Sequence, residues 1–290
     1  MPISHAHHIT ANNAEFSNHK TWLFVPGTRV ERISKAFASG ADAVIVDLED
    51  AVAQADKAPA RAALLEYYSN EQQQPVWLRV NQATSKEFAK DLALCQQMQA
   101  LAGKSLAGIV LAKAERADDI EQIHQATALP VIALIESAAG LHKIDTISKA
   151  SGLLAFSYGF LDLCNDLGVQ VGTAAADIVA NQVRYQLIVA SAVQQLLAPI
   201  DTIHPDFDDH EGLMQRTQLW SQMGMSGMLC IHPKQVTSVQ QALQPTQQQL
   251  EFAKQVVAEY ERSGEAVFKV DGMMIDAPVI ERCRQILSSR

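Results

Sequence analysis

Acidic side chains follow three short apolar runs of this sequence, each about as long as a β-strand. A continuous apolar run is typical of a strand that is covered on both faces, as in a parallel sheet. Parallel strands end at the same edge of their sheet, so the acids that follow them are expected to meet there. These acids are Asp47, Glu49, Asp50, Glu136 and Asp162. Taken singly, each could equally be a solvated acid at a strand end.

Basic side chains end two further apolar runs, at Arg79 and Lys113. Oxygen ligands with few nitrogen ligands select a hard cation, and Mg²⁺ is the natural one. The pattern therefore predicts one acidic pocket that is suited to a metal. Arg79 could contact a substrate there, or it could be a structural ion-pair partner of Asp47 or Glu49.

The apolar runs alternate with helix-like segments from Thr21 onward and form eight strand–helix units. This count and alternation predict an α/β fold of the TIM (β/α)8 barrel type, not an open doubly wound sheet. The first strand is not followed by GxGxxG, the fingerprint of a dinucleotide-binding fold. In a TIM barrel the catalytic residues lie at the carboxyl ends of the strands, where the acids and Arg79 are expected.

Three segments are expected along the chain. Residues 1–20, with His5, His7, His8 and His19, are expected to form a poorly ordered leader, because they show no periodicity and have little to bury. Residues 21–245 form the predicted catalytic barrel, and residues 246–290 a C-terminal helical extension or lid.

Composition limits the range of partners. The 290 residues are 48% hydrophobic and carry a net charge of −9, so bulk charge does not attract nucleic acid or an anionic membrane. Apolar runs do not reach the ~18 residues of a membrane span. The four cysteines lack a CxxC spacing and are expected to be reduced thiols of a cytoplasmic protein.

Seven motifs follow one another along the chain. They are LFVPG at 23–27, DAVIVDLEDAV at 42–52 with Lys57 and Arg61, RVN at 79–81, IALIE at 132–136, Gly159 with Asp162 and Leu167-Gly168, IHPKQV at 231–236, and DGMMIDAP at 271–278. In this order they resemble the citrate lyase β-subunit-like family of the HpcH/HpaI aldolase superfamily, and the resemblance covers roughly residues 21–288.

The resemblance implies residue roles. Glu136 and Asp162 match the metal ligands of the family, and with Asp47 they would also bind substrate. Arg79 matches its substrate-binding and catalytic arginine. Asp276 matches a lid acid that a neighbouring subunit contributes in malyl-CoA lyases, so a homotrimer or another homo-oligomer is expected. Glu49 is expected to act in catalysis beside the metal. Lys57 and Arg61, one helical turn apart, either bind coenzyme A phosphates or form a solvated helix face.

The implied function is that of a Mg²⁺-dependent carbon–carbon lyase. It would cleave a hydroxyacyl-CoA of the malyl-CoA, citramalyl-CoA or citryl-CoA type to acetyl-CoA and a 2-oxo acid. Two alternatives stay open: an aldolase on free 2-keto acids, and a citrate lyase β-subunit that is active only within a multi-subunit complex. A non-catalytic coenzyme A-binding protein is disfavoured, because Arg79, Glu136 and Asp162 are all present.

Overall fold

The computed structural model describes residues 15–70, 73–101, 103 and 105–288. These residues form two compact units that divide between Ala242 and Leu243. This division lies close to the predicted boundary after residue 245. Within the described ranges, no helix has the length and apolar character that crossing a membrane requires.

The first unit contains the eight predicted strands and the helices between them. The strands are β1 (Thr21–Pro26), β2 (Ala43–Asp47), β3 (Val76–Val80), β4 (Leu106–Leu111), β5 (Val131–Ile135), β6 (Leu153–Tyr158), β7 (Ile200–Asp201) and β8 (Gly227–Cys230). The helices are α1 (Ile33–Ala38), α2 (Lys57–Asn70), α3 (Phe88–Gln99), α4 (Ala117–Thr127), α5 (Ala138–His142), α6 (Ile144–Ile147), α7 (Phe160–Leu167), α8 (Ala174–Gln194), α9 (His210–Met223) and α10 (Pro233–Ala242).

All eight strands are parallel, in the order β6-β5-β4-β3-β2-β1-β8-β7. Two hydrogen bonds link β6 to β7 and to the residues just before β7. Leu197 N donates to Leu154 O at 2.9 Å, and the Tyr158 hydroxyl donates to Asp201 Oδ1 at 2.7 Å. The sheet is thus nearly closed into a barrel, and the predicted TIM-barrel fold is confirmed.

Aromatic and branched side chains fill the barrel interior. Trp22 and Trp77 are almost fully buried, and their ring centroids lie 5.2 Å apart. Gly108 on β4 makes room for Trp77, since a Cβ at this position would overlap the indole ring. Every residue of β2, β5 and β6 is buried, which explains why these strands are mostly apolar, with Asp47 and Ser157 as the polar exceptions.

The predicted leader is wrong for its last residues. Phe16 is only 4% exposed, and its ring packs edge-on against Trp77 with centroids 5.1 Å apart. Burial of this aromatic ring orders the segment from residue 15 to residue 20, because it belongs to the core that closes the amino end of the barrel. Residues 1–14, with His5, His7 and His8, lie outside the described residues.

The second unit consists of α11 (Gln247–Ser263), β9 (Phe268–Val270), β10 (Met273–Ile275) and α12 (Ala277–Ser288). Between the two helices of the predicted helical extension, β9 and β10 pair as an antiparallel hairpin. Asp271 and Gly272 between them have positive φ, as a two-residue hairpin turn requires. The Thr246 side chain begins α11 with a capping box to Gln249.

Candidate active site

A cavity of about 440 Å³ opens at the carboxyl ends of the strands. Its charged lining residues are Asp47, Asp50, Arg79, Glu136 and Asp162. Its apolar lining residues include Phe24, Leu134, Phe160, Leu161, Ile203, Leu229 and Ile231. The cavity therefore has an acidic part with one arginine and an apolar part formed by the top of the barrel core.

Three carboxylates meet in this cavity. One oxygen each of Asp50, Glu136 and Asp162 can be chosen so that all three lie within 4.8 Å of one another. Bound Mg²⁺ takes oxygen ligands at about 2.0–2.1 Å, so a three-oxygen group of this size fits one ion after small side-chain adjustments. The structure brings Glu136 and Asp162 together as expected, and adds Asp50, which had been grouped with the strand-end acids without a ligand role.

Glu136 is held in a closed environment directly after β5. Its Oε2 accepts a hydrogen bond of 2.8 Å from the backbone N–H of Lys113, which has a left-handed φ of 49°. The side chain packs against Gly159, where a Cβ would lie 2.9 Å from the Glu136 carboxyl carbon. Burial raises the pKa of Glu136 to about 7, against the opposing effects of Arg79 and Lys113. A bound cation would return this carboxyl group to its charged form.

Arg79 on β3 forms a two-pronged ion pair with Asp47 on β2. Its Nε donates to Asp47 Oδ1 at 2.7 Å and its Nη2 to Oδ2 at 2.6 Å. The guanidinium carbon lies 5.0 Å from the centre of the Phe24 ring. Burial opposes the charge of Arg79, but Asp47 outweighs it and holds the pKa of Arg79 above its ordinary value. Arg79 is therefore the ion-pair partner of Asp47 and also lines the cavity, while its contact with a substrate stays a prediction.

The Asp47 carboxylate also shapes the acidic loop after β2. Its two oxygens accept backbone N–H bonds from Glu49 at 2.8 Å and from Ala51 at 3.1 Å. These bonds fold the chain around Asp47 and place Asp50 at the cavity.

Lys113 joins the acids from the end of β4. Its Nζ donates a short hydrogen bond to Glu49 and lies 3.4 Å from Asp50 Oδ1 and 3.9 Å from Asp162 Oδ2. Glu49 is buried, and burial raises its pKa. No role had been assigned to Lys113. Its place at a strand end was visible in the sequence, but the positive φ that aims it at the acids was not.

The structure does not support the prediction that Lys57 and Arg61 bind coenzyme A phosphates. Both residues are buried on the inner face of α2. Lys57 Nζ donates to the carbonyl oxygens of Leu48 and Glu49, each at 2.8 Å, and so holds the backbone of the acidic loop after β2. Arg61 pairs with Glu87 at 2.6 Å and with Asp91 at 2.7 Å. These contacts use the charged ends of both side chains inside the protein.

Asp276 belongs to the second unit, between β10 and α12. Its side chain is exposed, and its Oδ1 accepts a 3.4 Å bond from the Val279 backbone N–H. Its expected role as a lid acid stays a prediction.

Fold and site together define a TIM barrel whose acidic pocket lies where this fold carries its catalytic residues. The model of the HpcH/HpaI aldolase/citrate lyase family matches residues 20–233, and the chain belongs to this family. The assignment made from the motifs is thereby confirmed.

Relatives are similar over nearly the whole chain. A citrate lyase subunit beta-like protein of Mycobacterium tuberculosis is 35% identical over 92% of this chain and 93% of that protein. A (3S)-malyl-CoA thioesterase of Cereibacter sphaeroides is 31% identical, with 92% of each chain covered. The crystal structure of CitE from Mycobacterium tuberculosis in complex with magnesium, acetoacetate and coenzyme A has a TM-score of 0.83 at 31% identity, with 93% of this chain and 97% of that chain covered.

Proposed function

We propose that this protein is a Mg²⁺-dependent carbon–carbon lyase that cleaves a hydroxyacyl-CoA to acetyl-CoA and a 2-oxo acid. The observation that carries the proposal is the meeting of carboxylate oxygens from Asp50, Glu136 and Asp162 beside Arg79. The magnesium and coenzyme A in the similar CitE structure support the same choice of cofactor and substrate class.

The three acids would hold Mg²⁺, which supplies a Lewis acid for the oxygens of a 2-hydroxy or 2-oxo acid. In the cleavage direction the substrate hydroxyl gives up its proton to a carboxylate of these three acids. The hydroxyl oxygen then becomes the oxygen of the new carbonyl group. The C–C bond breaks, and its electron pair moves into the thioester to form an enolate. Protonation of the enolate carbon then completes acetyl-CoA.

Arg79 is placed to stabilise the enolate charge. Asp47 fixes its Nε and Nη2, so the guanidinium is oriented before substrate binds. A donor fixed in this way is worth about 3 kcal/mol when charge develops on an oxygen in the transition state. We assign Asp276 to the protonation of the enolate, contributed by a neighbouring subunit of a homo-oligomer. Glu49 would support the reaction by holding Lys113.

The apolar part of the cavity favours one kind of 2-oxo acid. Once its carboxylate and oxo group are held at the acids, its remaining substituent faces apolar side chains such as Leu134, Ile203 and Leu229. The cations near the cavity, Arg79 and Lys113, are paired with Asp47 and Glu49 and lie at its acidic part, not beside these apolar side chains. A second carboxylate would be buried without a partner, at a cost of several kcal/mol. We therefore place malyl-CoA and citramalyl-CoA ahead of citryl-CoA.

Purified protein with Mg²⁺ should be tested against malyl-CoA, citramalyl-CoA and citryl-CoA, with products followed by mass spectrometry. We expect acetyl-CoA with glyoxylate or pyruvate, and at least tenfold slower cleavage of citryl-CoA. The variant Glu136→Gln should be inactive, and the exposed Glu66→Gln serves as its control. Cleavage of none of the three esters would overturn the proposal. Cleavage of free 4-hydroxy-2-oxo acids without coenzyme A would favour the aldolase alternative.

A further inference from the structure

A second cavity, of about 360 Å³, lies between α8 and α9, outside the strands of the barrel. Phe160 at the start of α7 contributes to the lining of both this cavity and the candidate active site. A volume of this size suits a small molecule. The proposed lyase reaction does not use this cavity.

A buried network of charged side chains lies at this cavity. Asp201, the last residue of β7, is fully buried and accepts two bonds from Arg184, from Nε at 2.9 Å and from Nη2 at 3.0 Å. Arg216 on α9 adds a third, from its Nε to Asp201 Oδ2 at 3.3 Å. Burial would raise the pKa of Asp201, but Arg216 and Arg184 outweigh it and hold this pKa below its ordinary value. Within this buried network one carboxylate faces two guanidinium groups, so one positive charge is in excess before the exposed Asp177, which also acts on Arg184, is counted.

The excess charge lies on Arg216. Arg184 has its remaining terminal nitrogen, Nη1, bonded to Asn181 Oδ1 at 2.7 Å, so all of its nitrogens are engaged. Within the described residues, by contrast, neither terminal nitrogen of Arg216 has a hydrogen-bond partner. The Arg216 side chain is only 18% exposed and lines the cavity, so water replaces the missing partners only in part.

Neutral amide groups line the cavity beside this cation, from Asn181 and Gln215. One acid, Asp177, also lines it, but its side chain is exposed. A guanidinium with free donors beside amide groups matches the oxygens of a carboxylate or a phosphate. We propose that this cavity binds a small oxyanion, a carboxylate or a phosphate, which Arg216 holds through its terminal nitrogens.

Isothermal titration calorimetry of the full chain at low ionic strength tests the proposal, with inorganic phosphate and malonate as separate probes. We expect saturable binding of at least one probe, at one site per chain. Arg216→Gln should weaken it at least tenfold, while Arg184 and Tyr158 still hold Asp201. Gln215→Glu should do the same by adding a negative charge at the cavity, without touching Asp201.

Arg116→Gln is the matched control, because it removes one guanidinium from an exposed position on the loop before α4. This variant should bind phosphate and malonate as tightly as the wild type does. If both probes fail to bind saturably, or if Arg216→Gln and Gln215→Glu bind as well as Arg116→Gln, the proposal is overturned. Measured preference between phosphate and malonate then assigns the class of oxyanion.

Discussion

Gly159 and Glu136 are in direct contact, and this contact leaves no room for a side chain at position 159. A Cβ there would lie 2.9 Å from the Glu136 carboxyl carbon, although the backbone of Gly159, with φ −94° and ψ 95°, suits any residue. The glycine is therefore required by the position of a carboxylate and not by its own backbone conformation. It lets the start of α7 pass close to the end of β5, so that Asp162 can approach Glu136.

We expect Gly159→Ala to disturb the metal site without unfolding the protein. The added methyl group would push the Glu136 carboxylate out of place, so Mg²⁺ affinity should fall at least tenfold, while the melting temperature changes by only a few degrees. Titration calorimetry and thermal unfolding measure the two effects. Gly168→Ala is a useful control, because it strains a positive φ of 68° at the end of α7 but meets no atom of the described residues within 4 Å. It should lose about 1 kcal/mol of stability and keep its Mg²⁺ affinity. Equal Mg²⁺ affinity in Gly159→Ala and the wild type would contradict this account of the contact.

Glu136 should make the metal-free protein less stable as the pH rises. Its folded pKa is raised to about 7, above the unfolded value of about 4.3, so the folded state binds more protons than the unfolded state between these values. Stability is consequently lost as the pH rises through this window, by roughly 4 kcal/mol for this group. Glu136→Gln cannot ionise and should escape that loss.

Chemical denaturation in the presence of EDTA measures this effect. At pH 8 Glu136→Gln should be more stable than the wild type, and by pH 5 this difference should fall to about 1 kcal/mol. The variant should no longer bind Mg²⁺. Glu66→Gln, at an exposed position on α2, should follow the wild type at both pH values. If the stability difference between Glu136→Gln and the wild type does not change with pH, the pKa of Glu136 is not raised in the folded protein.

The pairing of Glu136 with Asp162 could be predicted because neighbouring parallel strands end side by side, and β5 pairs directly with β6. The position of Asp50 beside these two acids could not be predicted. It depends on how the loop after β2 wraps around the Asp47 carboxylate, through hydrogen bonds to backbone groups that any residues would offer. The sequence pattern thus identifies which strand ends meet, but not which side chain of a loop points inward.

Arg61 shows a second limit of prediction from the sequence. Two basic residues one helical turn apart are expected on a solvated face or at an anionic ligand, since buried charges are rare. The partners that make burial possible, Glu87 and Asp91, come 26 and 30 residues later in the chain. The burial of Phe16 could not be predicted either. The residues around it show no periodic pattern, and the ring it packs against, Trp77, lies on β3.

Arg79→Lys should separate substrate chemistry from metal binding. A lysine offers one point charge and cannot reproduce the two parallel bonds to Asp47 while also facing the cavity. We expect kcat for the ester that the wild type cleaves to fall about 10²–10³-fold, as when a fixed oxyanion donor is lost. Mg²⁺ affinity should change by less than about threefold. Arg116→Lys, at an exposed site, is the control for the same exchange. An unchanged kcat would remove Arg79 from the reaction.

Arg61→Gln distinguishes a structural role from coenzyme A binding. Loss of the guanidinium leaves the buried carboxylate of Asp91 without its cation and leaves Glu87 with only the exposed Lys90, and such a break costs about 3–5 kcal/mol. The free energy of unfolding should fall accordingly, while KM for the acyl-CoA of the folded enzyme stays within about twofold. Lys90→Gln is closely matched, since Lys90 also pairs with Glu87, at 2.9 Å, but from an exposed position. Its cost should stay below about 1 kcal/mol. The opposite result for Arg61→Gln, a raised KM with unchanged stability, would restore coenzyme A phosphate binding as its role.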